Sequence, residues 1–225
     1  IEYFKNRGNI INAIKNPRIE GVGNDIVFLP GSDWTAGGQY SLRSEETPSG
    51  FYETKNGPVH LTNINDLKKL VRDPDKTILV CHVPMKFDGA DGVDVAYFAE
   101  KKDGSLFPGV VFEAMVKKKA GRDLTQDELR MIALQNGITL KRENRGNKDL
   151  ADLCREIGIN KFISGHFHES AHRAHDGKGQ AVVEGELHPE LFWNASYLDG
   201  GKCGILTVDE DKVSYRNIDL ASYLE

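Results

Sequence analysis

The chain has few cysteines, no long apolar run and no excess of positive charge, and each absence excludes a class of protein. Its three cysteines, Cys81, Cys154 and Cys203, are too widely separated to form a CxxC zinc motif or a disulfide framework. Cys81 and Cys154 stand in apolar patterns, where buried reduced thiols are expected, and this predicts a cytoplasmic protein. No apolar stretch approaches the roughly 20 residues that a membrane-spanning helix needs, so no membrane partner is expected.

The overall charge argues against broad nucleic-acid binding. The net charge is −5 and the isoelectric point is about 5.8, whereas proteins that bind nucleic acids nonspecifically present basic surfaces. Nucleic acid is therefore expected only as a substrate. The 225 residues suffice for one α/β domain with a substantial core, and no repeat or low-complexity linker divides them. The sequence predicts a single domain over residues 1–225.

Two apolar segments each end in histidine. A short run that ends at Ile163 is broken by Ser-Gly and followed by His166 and His168, and another run ends at His82. Both runs are typical of buried strands, and ligands bind at the carboxyl ends of strands in open α/β sheets. Because imidazole is the commonest transition-metal ligand, the three histidines are predicted to form a metal site. The alternative is a polar loop in which His166 and His168 are solvated, with His82 as a structural histidine.

In this order the two segments resemble a known family. Residues 78–84, ILVCHVP, and residues 164–168, SGHFH, are similar to the last two signature motifs of the calcineurin-like metallophosphoesterases. Residues 191–196, LFWNAS, followed by residues 204–208, GILTV, resemble the closing turn and final hairpin of that family. The resemblance implies part of an α/β-β/α layered sandwich with mixed sheets. It also implies that His82 and His166 bind one metal ion and His168 another.

The earlier motifs of that family are absent from this chain. Gly31-Ser32-Asp33 and Gly23-Asn24-Asp25 look similar to parts of them, but no histidine follows in the required place. The resemblance therefore covers only the C-terminal half of such an enzyme, and we expect a fragment, a processed chain or half of a split protein. An N-terminal segment or a second chain would supply the bridging carboxylate and the remaining ligands.

The resemblance implies hydrolysis of a phosphate ester, as monoester or diester. Two metal ions generate the attacking hydroxide and neutralise charge on the attacked and leaving oxygens. Histidine and carboxylate ligands suit Mn, Fe, Zn or Ni, and at most one such ion is expected on this chain alone. Two alternatives stay open: a mononuclear zinc hydrolase built on the three histidines, and a non-catalytic module that binds or scaffolds other proteins.

Other residues are candidates for the rim of this site. Asp33 and Trp34 stand in a loop after a short apolar strand, and either they approach the substrate or the loop is an ordinary turn. His172 and His175 follow His168 and could join the metal site. The surrounding sequence is typical of a hairpin arm, however, so both are predicted to face solvent, with His172 kept as a candidate for the rim.

The segment between the histidine motifs is longer than one crossover needs. A helical insertion is predicted at about residues 88–145. Residues 85–105 are rich in Asp and Gly and are predicted to form a long loop, and helices are expected at 110–119 and 124–136. Thr125 and Glu128 make a capping box for the second helix. A further helix at 148–157 is predicted to lead into the His166 strand. The insertion is either a lid beside the site or a peripheral decoration.

Overall fold

The computed structural model describes residues 11–21, 23–32, 41–43, 47–55 and 57–223. The strands of this part are β1 Arg18–Glu20, β2 Asp25–Leu29, β3 Ser41–Arg43, β4 Gly50–Thr54, β5 Gly57–Asn63, β6 Thr77–Cys81, β7 Val95–Lys101, β8 Leu106–Pro108, β9 Ile138–Asn144, β10 Lys161–Ser164, β11 Ala174–His175, β12 Leu191–Asn194, β13 Lys202–Asp209 and β14 Lys212–Asp219. Its α-helices are α1 Leu67–Leu70, α2 Gly109–Ala120, α3 Gln126–Gln135 and α4 Lys148–Ile157. None of these helices is long and apolar enough to cross a bilayer. The fold is a mixed α/β structure.

A six-stranded sheet forms the centre of the molecule, with strand order β1-β2-β6-β10-β12-β11. Its four inner strands run parallel, and the two edge strands, β1 and β11, run antiparallel to their neighbours. The carboxyl ends of β2, β6, β10 and β12 therefore lie at one edge of the sheet. The loop after β6 begins with His82, and the loop after β10 contains His166.

Two layers cover the faces of this sheet. On one face, Leu79 and Phe162 pack in a buried cluster with Leu150 and Cys154 of α4. On the other face, Trp193 packs with Tyr215 of the β13–β14 hairpin. The inner strands are largely buried on both sides, which explains why β6 is apolar without alternation.

Local signals set the bounds of α4. The side chain of Asn147 accepts a hydrogen bond from the backbone N–H of Leu150 at 2.8 Å and caps the first turn. Gly158 ends the helix at φ +90°, a conformation that glycine adopts without steric cost. The chain then enters β10, so the predicted helix at 148–157 and its connection to the His166 strand are confirmed.

The insertion contains a sheet as well as helices. The predicted loop over residues 85–105 is wrong in its second half, because β7 lies there and pairs antiparallel with both β8 and β9. Residues 95–99 are all buried. One face of β7 packs on α2 and α3, and the other packs on Phe167 in the loop after β10. The helices are confirmed, and Thr125 and Glu128 form the expected capping box. The predicted helical insertion is therefore a three-stranded sheet backed by two helices.

A buried carboxylate fastens the insertion to the rest of the protein. Asp94 is fully buried and stands just before β7. Its carboxylate accepts hydrogen bonds from the backbone N–H groups of Phe87 at 3.0 Å and Gly146 at 3.2 Å, and from Asn144 Nδ2 at 2.8 Å. These donors belong to both ends of the insertion, so Asp94 ties its two connections together.

One prediction for the C-terminal region needs correction. His175 is buried rather than solvent-facing, because its ring packs against Phe87 and fills space between the insertion and the central sheet. Its Nε2 accepts a hydrogen bond from the Val93 N–H at 3.2 Å, so Nδ1 carries the proton and donates to the Asp176 carbonyl at 2.7 Å. The final hairpin, β13 and β14, is present and forms a separate two-stranded sheet.

Removing the Asp94 carboxylate is expected to loosen both ends of the insertion. Asp94→Ala leaves three donors without their acceptor, and we expect the free energy of unfolding to fall by about 3 kcal/mol. Urea denaturation measures this change. Asp91→Ala is the matched control, because the Asp91 side chain is 98% exposed in the same loop. Equal stability of the two variants would contradict the role of Asp94.

The burial of His175 predicts a loss of stability in mild acid. Desolvation lowers the pKa of His175 below its ordinary value of 6.5. As the pH falls, His175 therefore takes up a proton in the unfolded chain before it does so in the folded chain. The stability that neutral, buried His175 contributes is fully present above pH 6.5 and is lost as the pH falls below that value. His175→Gln should make the fall in unfolding free energy below pH 6.5 shallower. An unchanged slope in His175→Gln would contradict the argument.

Candidate metal centre

The pairing of β6 with β10 brings two of the predicted histidines together. The strands are parallel neighbours in the register Leu79↔Phe162 and Val80↔Ile163, so the two loops leave the sheet side by side. The Gly165 N–H donates to the His82 carbonyl at 3.0 Å and joins the loops directly. His82 Nε2 and His166 Nδ1 lie 3.0 Å apart. The two imidazoles are therefore hydrogen-bonded to each other outside the sheet.

The backbone at His166 is constrained in a tight turn. His166 has φ +70°, and the Phe167 N–H donates to the Gly165 carbonyl at 2.8 Å. These two features define a γ-turn with His166 at its centre, a conformation that is rare and strained for a residue with a side chain. Strain of this kind concentrates at functional sites. The turn aims His166 Nδ1 at His82.

His168 takes a different position. Its ring stacks on Tyr197 with a centroid distance of 3.9 Å and an interplanar angle of 5°. Among the residues that the structure describes, no group of three or more His, Cys, Asp or Glu side chains is arranged to hold a metal ion. The structure thus brings His82 and His166 together and leaves His168 outside the pair, and the three-histidine site stays a prediction.

The paired imidazoles fit one metal ion. Two nitrogens that bind a tetrahedral zinc with bonds of 2.0–2.1 Å lie about 3.3 Å apart, close to the observed separation. His82 is exposed and His166 is half-buried, so an ion could reach both from solvent. Further ligands would have to come from outside this pair. The residues present therefore fit half of a mononuclear site, and the described residues alone do not form a two-metal cluster.

The candidate rim residues have separate outcomes. Asp33 and Trp34 lie outside the described residues. The chain just before them, however, is described: Ser32 is buried and follows β2 at the same sheet edge as His82. His172 contacts the Cys203 carbonyl through Nε2 at 3.0 Å, and burial lowers its pKa. Its neighbour Cys203 lines a cleft of about 470 Å³ that also reaches His82.

A buried amide, Asn194, supports this edge of the sheet, and the sequence argument missed its role. Asn194 ends β12 and is fully buried. Its Nδ2 donates to the Phe167 carbonyl at 2.9 Å, and its Oδ1 accepts from Ser196 Oγ at 2.7 Å. An asparagine at the end of an otherwise apolar strand is the signal that could have identified it. Asn194 fixes the loop that carries His166 and His168.

The insertion contacts the same loop. Ala96 and Phe98 of β7 form a buried cluster with Phe167, which stands between His166 and His168. The Ser170 hydroxyl donates to the Val95 carbonyl. The insertion is therefore not a distant decoration, because its sheet packs directly on the histidine loop.

Comparison with known proteins gave no relative. No family model matched the chain, and neither the curated proteins nor the solved structures contained a significant match. Any functional assignment consequently depends on the geometry of the site and on the motifs that form it.

Shortening Phe98 should loosen the histidine loop. In Phe98→Ala the Phe167 ring loses part of its buried contact, and we expect the backbone amides of Phe167 and Ser170 to exchange with solvent at least about tenfold faster. Hydrogen exchange followed by NMR measures this rate. Phe107→Ala is the control, because Phe107 packs on the helix side of the same sheet. Equal acceleration in both variants would contradict a specific contact between insertion and loop.

Proposed function

We propose that this chain contributes part of the metal site of a metal-dependent phosphoesterase that hydrolyses phosphate monoesters or diesters. The observation that carries the proposal is the 3.0 Å approach of His82 Nε2 and His166 Nδ1 at the carboxyl ends of two adjacent parallel strands. The order of the two histidine motifs, and their resemblance to calcineurin-like metallophosphoesterases, supports the same assignment. In this proposal the fold is part of the layered sandwich of that family.

The residues of this chain have distinct roles in the proposal. His82 and His166 hold one divalent ion, Mn, Fe, Zn or Ni, through neutral imidazoles. The strained turn at His166 and the bond between Gly165 and His82 keep the two nitrogens convergent. Bound metal supplies a nucleophilic hydroxide and charge neutralisation for the phosphate. His168 stacks on Tyr197, and in the proposal it binds the second ion, as the resemblance implies.

In the proposal, the remaining metal ligands come from a part of the protein other than the described residues. Because the described residues contain no group of three metal-binding side chains, a phosphoesterase site needs carboxylates from elsewhere. We propose that an N-terminal segment or a second chain supplies them and that the complete protein acts in the cytoplasm on a soluble phosphate ester. Nucleic acid enters the proposal only as a substrate.

Loss of either paired imidazole should abolish hydrolysis by the complete enzyme. We expect manganese-dependent cleavage of p-nitrophenyl phosphate or bis-p-nitrophenyl phosphate to fall by at least about 100-fold in His82→Ala and in His166→Ala, because the nucleophile is no longer generated. Initial rates over a range of manganese concentrations measure the effect.

His188→Ala is the control for these variants, since His188 Nε2 contacts only the Val183 carbonyl at the surface among the described residues. Cleavage that persists in His82→Ala at the rate of the control would contradict the proposal. Complete absence of metal-dependent cleavage in the unmodified full enzyme would contradict it as well.

A further inference from the structure

Two contacts restrain the aromatic ring of Tyr197. The His168 imidazole lies parallel to it, with a centroid distance of 3.9 Å and an interplanar angle of 5°. The backbone of Gly200 lies so close to the ring that a Cβ atom at that position would overlap it. Because Gly200 does not have a positive φ, this lack of space, and not the backbone conformation, is what requires glycine there.

The backbone beside Tyr197 is tied to the histidine loop. The Asn194 Oδ1 atom accepts from the Ser196 N–H at 3.2 Å and from the Ser196 hydroxyl at 2.7 Å. The amide nitrogen of the same Asn194 side chain donates to the Phe167 carbonyl, immediately before His168. Tyr197 and His168 therefore belong to two segments that one buried side chain holds together.

The stack is the contact that orients the His168 ring among the described residues. Its side chain is exposed, and neither of its ring nitrogens takes part in a hydrogen bond within the part of the chain that the structure describes. A histidine that binds a metal ion is usually oriented by a hydrogen bond from its other ring nitrogen. A parallel stack fixes the plane of the imidazole and leaves both nitrogens available, since they lie at the edge of the ring.

We propose that Tyr197 is a positioning residue that fixes the plane of the His168 imidazole for metal binding. The metal-binding part rests on the proposed function, in which His168 binds the second ion. Tyr197 then takes the place of the usual orienting hydrogen bond, and Gly200 leaves the space that the tyrosine ring occupies. The first ion does not depend on Tyr197, because the pairing of β6 with β10 brings its two histidines together.

NMR on the 225-residue chain tests the orientation without any metal. While the two rings are stacked, the ring current of Tyr197 shifts the ring-proton signals of His168 upfield. At about pH 8.5, where an ordinary imidazole is neutral, we expect these signals to move downfield in Tyr197→Ala. In Tyr197→Phe, which keeps the aromatic ring, they should stay in place. Unchanged signals in Tyr197→Ala would overturn the proposal.

A second variant displaces the tyrosine ring without removing it. In Gly200→Ala the added methyl group overlaps the ring, so we expect the His168 signals to move downfield as in Tyr197→Ala. Gly89→Ala is the matched control, because a Cβ atom there meets nothing within 4 Å. If the His168 signals are the same in these two glycine variants, Tyr197 is not held against His168 and the proposal fails.

Metal binding separates a positioning role from a merely structural stack. In the complete enzyme, the electron paramagnetic resonance signal of free manganese measures how many ions are bound and how tightly. We expect the second ion to bind at least about tenfold more weakly in Tyr197→Ala, and Tyr197→Phe to retain the original affinity. On the 225-residue chain, calorimetry should give the same zinc affinity for both variants.

The outcomes distinguish this proposal from the proposed function. Equal affinity for the second ion in Tyr197→Ala and Tyr197→Phe would overturn the positioning role. Weaker zinc binding by Tyr197→Ala on the 225-residue chain would overturn it as well, because the first site would then share the disturbance. A complete enzyme that binds two manganese ions but cleaves no phosphate ester contradicts only the proposed function, whereas one that binds no second ion contradicts both.

Discussion

The parallel pairing of β6 with β10 is the constraint on which the candidate site depends. Most side chains of the two strands are buried, so their packing strongly specifies the register. That register places the ends of the two strands side by side, and the bond from the Gly165 N–H to the His82 carbonyl joins the loops that follow. The two imidazoles come into contact because this pairing holds their backbones side by side.

The surrounding structure holds this arrangement from three directions. Asn194, buried at the end of β12, bonds the carbonyl of Phe167 from one side. Phe98 of the insertion packs on the Phe167 ring from another. Asp94 and His175 fix the insertion itself to the central domain. A loop with a strained residue at its centre persists only when its neighbours determine its conformation in this way.

The sequence predicted the local elements well and the long-range contacts less well. The ends of α4 were predictable because Asn147 and Gly158 act within a few residues of the helix. The convergence of His82 and His166 was predictable because both follow buried parallel strands. Strand β7 was missed, since residues 88–94 are rich in Asp and Gly and obscured the apolar run behind them.

The burial of His175 could not be predicted from the sequence. It depends on the Val93 N–H and the Phe87 ring, which stand more than 80 positions away in the chain. Whether His168 joins the metal site was equally inaccessible, because its stack on Tyr197 depends on the loop after β12. A spacing of two residues places His166 and His168 in one loop, but the γ-turn centred on His166 turns the two rings in different directions.

The central claim is that His82 and His166 bind one metal ion together. Zinc binding at equilibrium, measured by isothermal titration calorimetry on the unmodified chain and on the double variant His82→Ala/His166→Ala, tests it most directly. The geometry predicts that the unmodified chain binds about one zinc and that the double variant binds it at least about tenfold more weakly, because the two imidazoles are the only histidine pair in direct contact among the described residues. Equal zinc affinity of the two proteins would contradict the claim.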